Sequence, residues 1–335
     1  MDSLSQIVLG AAVGEATLGK KVGNYAMLWG AIAGTIPDLD VFASRFTDNV
    51  TALEIHRGFS HSIVFCLIAA PILGYIASKI HKKKNVTLKQ WCLLFFLCLV
   101  THPMLDAHTT WGTQLFWPLD IRLAFKNIFV IDPLYTLPFL FCTIMAIRLK
   151  KENPKRQKWN KRGLIISSSY MLITLLFKWY AYNSFEKALK ANNIAYQEIE
   201  TRPTPFNAIL WSANIKVEDG YRIAYYSLLD KKAIDFSVLI PKNQHLIESI
   251  KEEKKIKQLI HISEGWFAIE KDKDKIYFND LRFGQNSLDQ QKAQFVFSYE
   301  IGYDKHKRLY AKERPKDMEQ GKRAAEEFLQ RMLGN

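Results

Sequence analysis

The chain has 335 residues and a net charge of +13, and its composition changes near the middle. Up to about residue 182, apolar segments alternate with short basic clusters, whereas the remainder is rich in Lys, Glu, Asp and Gln. Because much of the positive charge lies in loops beside apolar segments, it is typical of membrane topology and argues against a nucleic-acid partner.

We predict a mainly α-helical fold with two domains. Residues 1–182 are expected to form a multi-pass helical membrane domain whose partner is the lipid bilayer. Residues 183–335 are expected to form a smaller, β-rich, mixed α/β extramembrane domain.

Two apolar segments open the chain, at residues 4–18 and 25–36. Both are short for a membrane span, which needs about 20 residues. Residues 19–23 between them read Gly-Lys-Lys-Val-Gly, a basic turn bounded by glycine. This arrangement predicts a helical hairpin with its tip towards the cytoplasm.

Longer apolar segments follow the hairpin. The first is uncharged apart from a histidine and has the length of a membrane span. Basic clusters at residues 82–89 and 148–162 separate the segments and are predicted to be cytoplasmic. The predicted apolar helices cover residues 59–78, 91–105, 134–147 and 164–182.

The alternation of these segments predicts the location of the polar loops. Residues 37–62, residues 102–132 and everything after residue 182 are placed on the side opposite the basic clusters. We therefore expect a multi-pass protein of the cell (inner) membrane whose polar motifs and C-terminal domain are extracytoplasmic. The motifs can share a site only if they lie on the same face of the membrane.

The first polar motif is Pro37-Asp38-Leu39-Asp40, at the end of an apolar segment. Carboxylates two residues apart do not share a helix face, so a turn is the better setting for both to reach one metal ion. The alternative is that the proline ends a helix and the acids are solvated. Asp38 and Asp40 are predicted metal ligands.

The second motif is His56-Arg57-Gly58-Phe59-Ser60-His61-Ser62, directly before the longest apolar segment. His56 and His61 can converge on a metal through neutral imidazole nitrogens, because Gly58 permits a sharp bend between them. The alternative is a pair of interfacial histidines at a helix start. We favour ligands, since ionisable groups at membrane depth are usually functional.

The third motif is Thr101-His102-Pro103-Met104-Leu105-Asp106. The i, i+4 spacing brings His102 and Asp106 onto one helix face, so both are predicted ligands. The alternative is an ordinary helix start with a surface acid. Lower-ranked residues near these motifs are Asp2, Gln6, His108, Asp120 and Asp132.

The motifs occur in a characteristic order. Met1-Asp2 and a Gly/Ala-rich helix precede the Pro37, His56 and His102 motifs, and Trp111-Gly112-Thr113 comes after them. Over roughly residues 1–180, the chain resembles the YdjM-like family of membrane-bound proteins classed as metal-dependent hydrolases. The resemblance implies a helical membrane protein whose His and Asp motifs bind metal. Many members have a histidine where this chain has Gln6.

The residues themselves suggest metal-assisted hydrolysis. Mixed nitrogen and oxygen ligands suit a divalent metal, zinc best, with manganese or iron as alternatives. Asp40 or Asp106 is expected to act as general base, and Arg57 to offset charge on a phosphoryl oxygen. A more distant similarity to zinc-dependent phospholipases C suggests phosphoester or lipid-derived substrates.

Two other functional classes use the same residues. The protein is alternatively a non-enzymatic metal-binding or ion-transport protein, or a structural protein without metal. Transport predicts polar residues that continue through the bilayer along several helices, whereas the predicted ligands here lie at one edge.

The C-terminal half contains short runs of strand-like composition and a charged, periodic segment at residues 317–333 that predicts an amphipathic helix. No catalytic motif is recognised in it. The predicted strands cover residues 221–229, 234–239, 275–278 and 294–299.

Overall fold

The computed structural model describes residues 1–288, 293–315 and 318–334. The chain forms two compact units. The first consists of Met1–Ala43 and Ile55–Leu175, and the second of Ser44–Glu54 and Leu176–Asn335. The long helix Pro154–Ala191 contains the position, after Leu175, at which the chain leaves the first unit and enters the second.

The first unit is helical, which confirms the predicted fold class of the N-terminal region. Three of its helices, α4, α5 and α7, are long and apolar enough to cross a membrane, and α6 is shorter and apolar. Two 3-10 segments, Pro37–Arg45 and Phe59–His61, carry the first two polar motifs. The helices are α1 (Ser3–Val22), α2 (Asn24–Ala33), α4 (Ile63–Ile80), α5 (Leu88–Asp106), α6 (Pro133–Ile147) and α7 (Pro154–Ala191).

Side-chain caps fix where several of these helices begin. The Ser62 hydroxyl accepts a hydrogen bond from Phe65 N at the start of α4. Thr87 and Gln90 form a capping box at the start of α5. Such reciprocal caps satisfy backbone N–H groups that have no partner within the helix. The Ser62 cap therefore fixes the start of α4, next to the His56 motif.

Glycines allow α1 and α2 to pack with their backbones in contact. A Cβ atom at Gly10 or Gly14 would overlap a backbone carbonyl of α2, and one at Gly30 would overlap the carbonyl of Gly10. Spacings of four residues place these glycines on one face of each helix. The predicted hairpin is therefore held by close backbone approach, with Gly23 at its turn.

The second unit contains two four-stranded antiparallel sheets, with strand orders β1-β2-β3-β4 and β5-β6-β7-β8. The same unit contains two short helices, α3 (Asn49–Ile55) and α8 (Lys254–Ile262), a 3-10 segment (Gln244–Ile250) and the C-terminal α9 (Met318–Met332). The strands are β1 (Glu198–Pro203), β2 (Leu210–Lys216), β3 (Gly220–Ser227), β4 (Ile240–Pro241), β5 (Phe267–Asp272), β6 (Lys275–Gln285), β7 (Phe295–Tyr303) and β8 (Leu309–Glu313).

The segment that separates the first two polar motifs packs in the second unit. Val50 of α3 is fully buried in a cluster with Ile256, Leu259 and Phe278. Gln258 donates to the Glu54 carboxylate at 2.6 Å. The sequence gives no reason to expect this, since α3 is short and far in the chain from its partners.

One predicted strand is wrong. Residues 234–239 form only an isolated bridge, between Phe236 and Ala224. Ser237 explains the irregularity, because its hydroxyl accepts from Ile223 N at 2.8 Å and thereby occupies a donor of β3. The regular strand β4 is confined to Ile240–Pro241.

Candidate metal centre

Four side chains from the three polar motifs converge at one end of the helical unit. One donor atom from each of Asp38, His61, His102 and Asp106 lies within 4.8 Å of the other three. The side chains of His61, His102 and Asp106 are fully buried, and that of Asp38 is 24% exposed. The group therefore has one side that solvent can reach.

Five of the six distances among the donor atoms are close to those between ligands of one small cation. The two histidine Nε2 atoms are 3.1 Å apart. Asp38 Oδ1 lies 3.4 Å from each of them, and Asp106 Oδ2 lies 3.5 Å from His61 Nε2 and 3.7 Å from His102 Nε2. Ligands bound to zinc at about 2.0–2.1 Å have tetrahedral edges of roughly 3.3 Å. The four atoms fit a small cation at their centre.

Hydrogen bonds behind the histidines orient them towards this centre. His102 Nδ1 donates to the carbonyl of Gly34 at 2.6 Å, so that in a neutral ring Nε2 is the nitrogen with the lone pair. His61 Nδ1 lies 2.9 Å from Ser60 Oγ and 3.3 Å from Asp40 Oδ2. Two such nitrogens do not approach to hydrogen-bonding distance without a proton or a cation between them. The arrangement requires one or the other.

Asp106 supplies an oxygen that its protein neighbours leave available. Its Oδ1 accepts from Gln6 Nε2 at 3.0 Å and lies against the α-amino group of Met1. Its Oδ2 forms an ion pair with Arg57 Nε at 3.1 Å, yet has no hydrogen-bond partner in the described part of the chain. An unsatisfied buried carboxylate oxygen beside two imidazoles fits a metal ligand.

The ionisable side chains of the four-residue group shift each other's pKa values. Burial by itself raises the pKa of Asp38, but hydrogen bonds with His102 and His61 outweigh it and hold that pKa well below its usual value. Burial by itself lowers the pKa of His61, whereas attraction to the surrounding carboxylates, Asp106 first, raises it to about 9. A cation at this group would compete with a proton for His61.

Asp40 and His56 lie behind the four-residue group. His56 Nδ1 is 2.9 Å from Asp40 Oδ1, and its side chain is 24% exposed. Asp40 Oδ2 accepts from Arg57 N and from Ser60 Oγ, both at 2.9 Å. Burial raises the pKa of Asp40, but its hydrogen bonds with His56 and His61 lower it further than burial raises it. The Asp40 carboxylate thus orients two histidines at once.

The other predicted residues have separate surroundings. Arg57 is buried and, besides its ion pair with Asp106, donates to Thr109 Oγ1 at 2.8 Å. The remaining residues are held in local contacts: Asp2 and Asp132 cap α1 and α6, His108 contacts Asn127, and Asp120 accepts from Gln114.

Sequence reasoning missed one contributor to the site and ranked another low. The carbonyl of Gly34 that orients His102 has no signature in the sequence, because every residue carries a carbonyl. Gln6 was a lower-ranked residue of the sequence analysis, yet its amide donates to both Asp106 and the carbonyl of His102. Its place on the inner face of α1 was the available signal.

Comparison with known proteins decides the family. The family described as YdjM inner membrane protein matches residues 1–185, which is more than half of the chain. The chain belongs to the YdjM family. This confirms the resemblance inferred from the motifs, and the family description together with the spanning helices identifies a membrane protein.

Two relatives of this YdjM-family protein share part of its length. YfhP, an uncharacterized protein of Bacillus subtilis (strain 168), is 30% identical over 156 residues, covering 44% of this chain and 45% of YfhP. Inner membrane protein YbcI of Escherichia coli (strain K12) is 31% identical over 102 residues, covering 30% of this chain and 57% of YbcI. The chain spans about half the length of these curated relatives. No solved structure matches it.

The roles of the two aspartates in the YdjM-family motif can be separated by substitution. We expect Asp40→Asn to weaken metal affinity by roughly 10–100-fold, the usual effect of losing a group that orients a ligand. Asp38→Asn is expected to weaken it further, because a donor atom of the four-residue group loses its charge. Metal titration of both purified variants measures this. Equal losses would mean that Asp40 is itself a ligand.

Proposed function

We propose that this protein is a membrane-bound, metal-dependent hydrolase that uses zinc. The observation that carries the proposal is the convergence of two imidazole nitrogens and two carboxylate oxygens within 4.8 Å of one another. Two nitrogen and two oxygen donors suit zinc, with manganese or iron as alternatives. Asp38, His61, His102 and Asp106 would hold the ion. A bound zinc ion supplies hydroxide near neutral pH.

His56 is the group best placed to move a proton. Its ring is partly exposed and its Nδ1 is held by Asp40, so its Nε2 is left to exchange protons with a substrate or with water. Asp40 is engaged by four groups, so we assign to it the orientation of His56 and His61. This modifies the expectation that Asp40 is the base and His56 a ligand.

We assign to Arg57 the role of holding the Asp106 carboxylate in place. Its guanidinium is buried against that carboxylate and against Thr109, so it keeps Asp106 ionised and turned inward. Contact with a phosphoryl oxygen, as expected from the sequence, would require Arg57 to leave this pairing.

Substrates are proposed to be phosphoesters or lipid-derived molecules that reach the exposed edge of Asp38. The motifs lie at helix ends next to spanning segments, where a headgroup would be accessible. The basic clusters favour an extracytoplasmic location for this site and for the second unit.

A non-enzymatic metal-binding or ion-transport role is the second candidate. It is supported by the fact that four side chains of this chain would hold the ion, as in structural zinc sites. In an enzyme Asp38, the exposed residue of the group, would be the one that leaves room for water, because catalytic zinc sites usually have three protein ligands.

The experiment that tests hydrolysis uses the full chain in detergent or nanodiscs. Phosphomonoesters, phosphodiesters and phospholipids are offered before and after chelation. We expect turnover that disappears with chelator and returns with zinc, and that falls by roughly 100-fold or more in His56→Ala while metal content is unchanged. Stoichiometric metal without turnover on any substrate would reject the enzyme and favour the metal-binding role.

A further inference from the structure

A groove of about 810 Å³ lies on the helical unit, away from the four-residue metal group. Its walls come from α1, α2 and α6. We call it the α1/α2/α6 groove. The loop between α6 and α7 forms one end of it, which we call the loop end. No residue of the metal group lines it.

The walls of the groove are apolar over a long distance. Leu4 and Val22 mark the two ends of the lining on α1, and 18 residues of helix span about 27 Å, close to the thickness of a hydrocarbon core. α2 is only 10 residues long, about 15 Å, and leaves the groove open beside α1. Leu28 on α2 and Ile144 on α6 face it and are more than one-third exposed. These walls suit acyl chains.

The loop end of the groove is basic. Arg148, Lys150 and Lys151 line it, against a single nearby carboxylate, Glu152. Lys151 Nζ is 3.9 Å from Glu152, and both side chains are well exposed, so this pair is largely hydrated. The fifth charged residue of the lining, Arg156, is neutralised by the buried Glu15, with Nε to Oε1 at 2.8 Å. A net positive charge remains where the apolar walls end.

We propose that the α1/α2/α6 groove binds an anionic glycerophospholipid. Its acyl chains lie along Ile7, Leu28 and Ile144, and its phosphate is bound by Arg148, Lys150 and Lys151. A basic pocket where apolar helix faces end at a membrane surface recognises anionic headgroups, whereas apolar walls alone would accept any lipid. The charge therefore selects the class of lipid, and this binding does not depend on hydrolysis at the metal centre.

The test is lipid binding by the full chain in nanodiscs or by native mass spectrometry. Phosphatidylglycerol is expected to be retained in preference to phosphatidylcholine. The triple variant Arg148→Gln, Lys150→Gln, Lys151→Gln should lose about fivefold in affinity per side chain, on the order of 100-fold in all. Leu28→Trp, which narrows the groove without changing charge, should weaken both lipids.

A matched control removes the same charge elsewhere. Lys82 and Lys83 lie in the loop before α5 and Lys89 lies in its first turn. All three are exposed, and none lines the groove. Their triple replacement by glutamine should leave phosphatidylglycerol affinity within about twofold of the unaltered protein. An equal loss in both triple variants would show diffuse attraction to the membrane surface and overturn the proposal. Equal affinity of the unaltered protein for the two lipids would also overturn it.

Discussion

Alanine at both His61 and His102 is expected to abolish metal binding. These residues supply both nitrogen donors, and their Nε2 atoms are only 3.1 Å apart at the centre of the four-residue group. The loss should exceed the roughly 10–100-fold that follows removal of an orienting partner. Elemental analysis of the purified protein and zinc titration against a competing chelator measure it.

Two other histidine variants control this result. His245 lies on an exposed part of the second unit, and His245→Ala should leave metal content unchanged. His56→Ala should retain stoichiometric metal with a modest fall in affinity, because His56 contacts Asp40 and is not among the four donors. Equal metal content in the His61/His102 double variant and in the unaltered protein would remove the basis for a metal centre here.

The sequence was sufficient to find the His102 and Asp106 pair. An α-helix places residues i and i+4 on one face, so their spacing predicts a shared direction that the structure shows within α5. The Pro37 motif was less informative. Residues two apart in a 3-10 helix point about 240° apart, so only one of Asp38 and Asp40 can face the centre, and the sequence does not say which.

The fold was predictable from the sequence only where local properties determine it. Apolar length and caps are local properties, so α4, α5 and α6 were predicted within a few residues of their bounds, apart from the late start of α5 in the prediction. The burial of Val50 among residues beyond position 246 is a contact of long sequence separation. No local pattern encodes it, and the same holds for the hydrogen bond between Gly34 and His102.

Gly30→Leu is expected to have the largest effect on the stability of the helical unit. A Cβ atom at this position would overlap the carbonyl oxygen of Gly10 and approach the Cα of Gly14, both backbone atoms that cannot rotate away. Separating α1 from α2 should cost about 3 kcal/mol or more of unfolding free energy. Thermal unfolding in detergent measures it.

The same substitution should weaken the metal centre, because α2 ends at Gly34, whose carbonyl orients His102. Zinc affinity is expected to fall roughly 10–100-fold in whatever fraction of Gly30→Leu remains folded. Ile32→Phe adds bulk to the same helix at an exposed position, and should change neither stability nor affinity appreciably. If Gly30→Leu were as stable as Ile32→Phe, α1 and α2 would not be held by close backbone packing. If it lost stability but kept full zinc affinity, the position of His102 would be set by α5 alone.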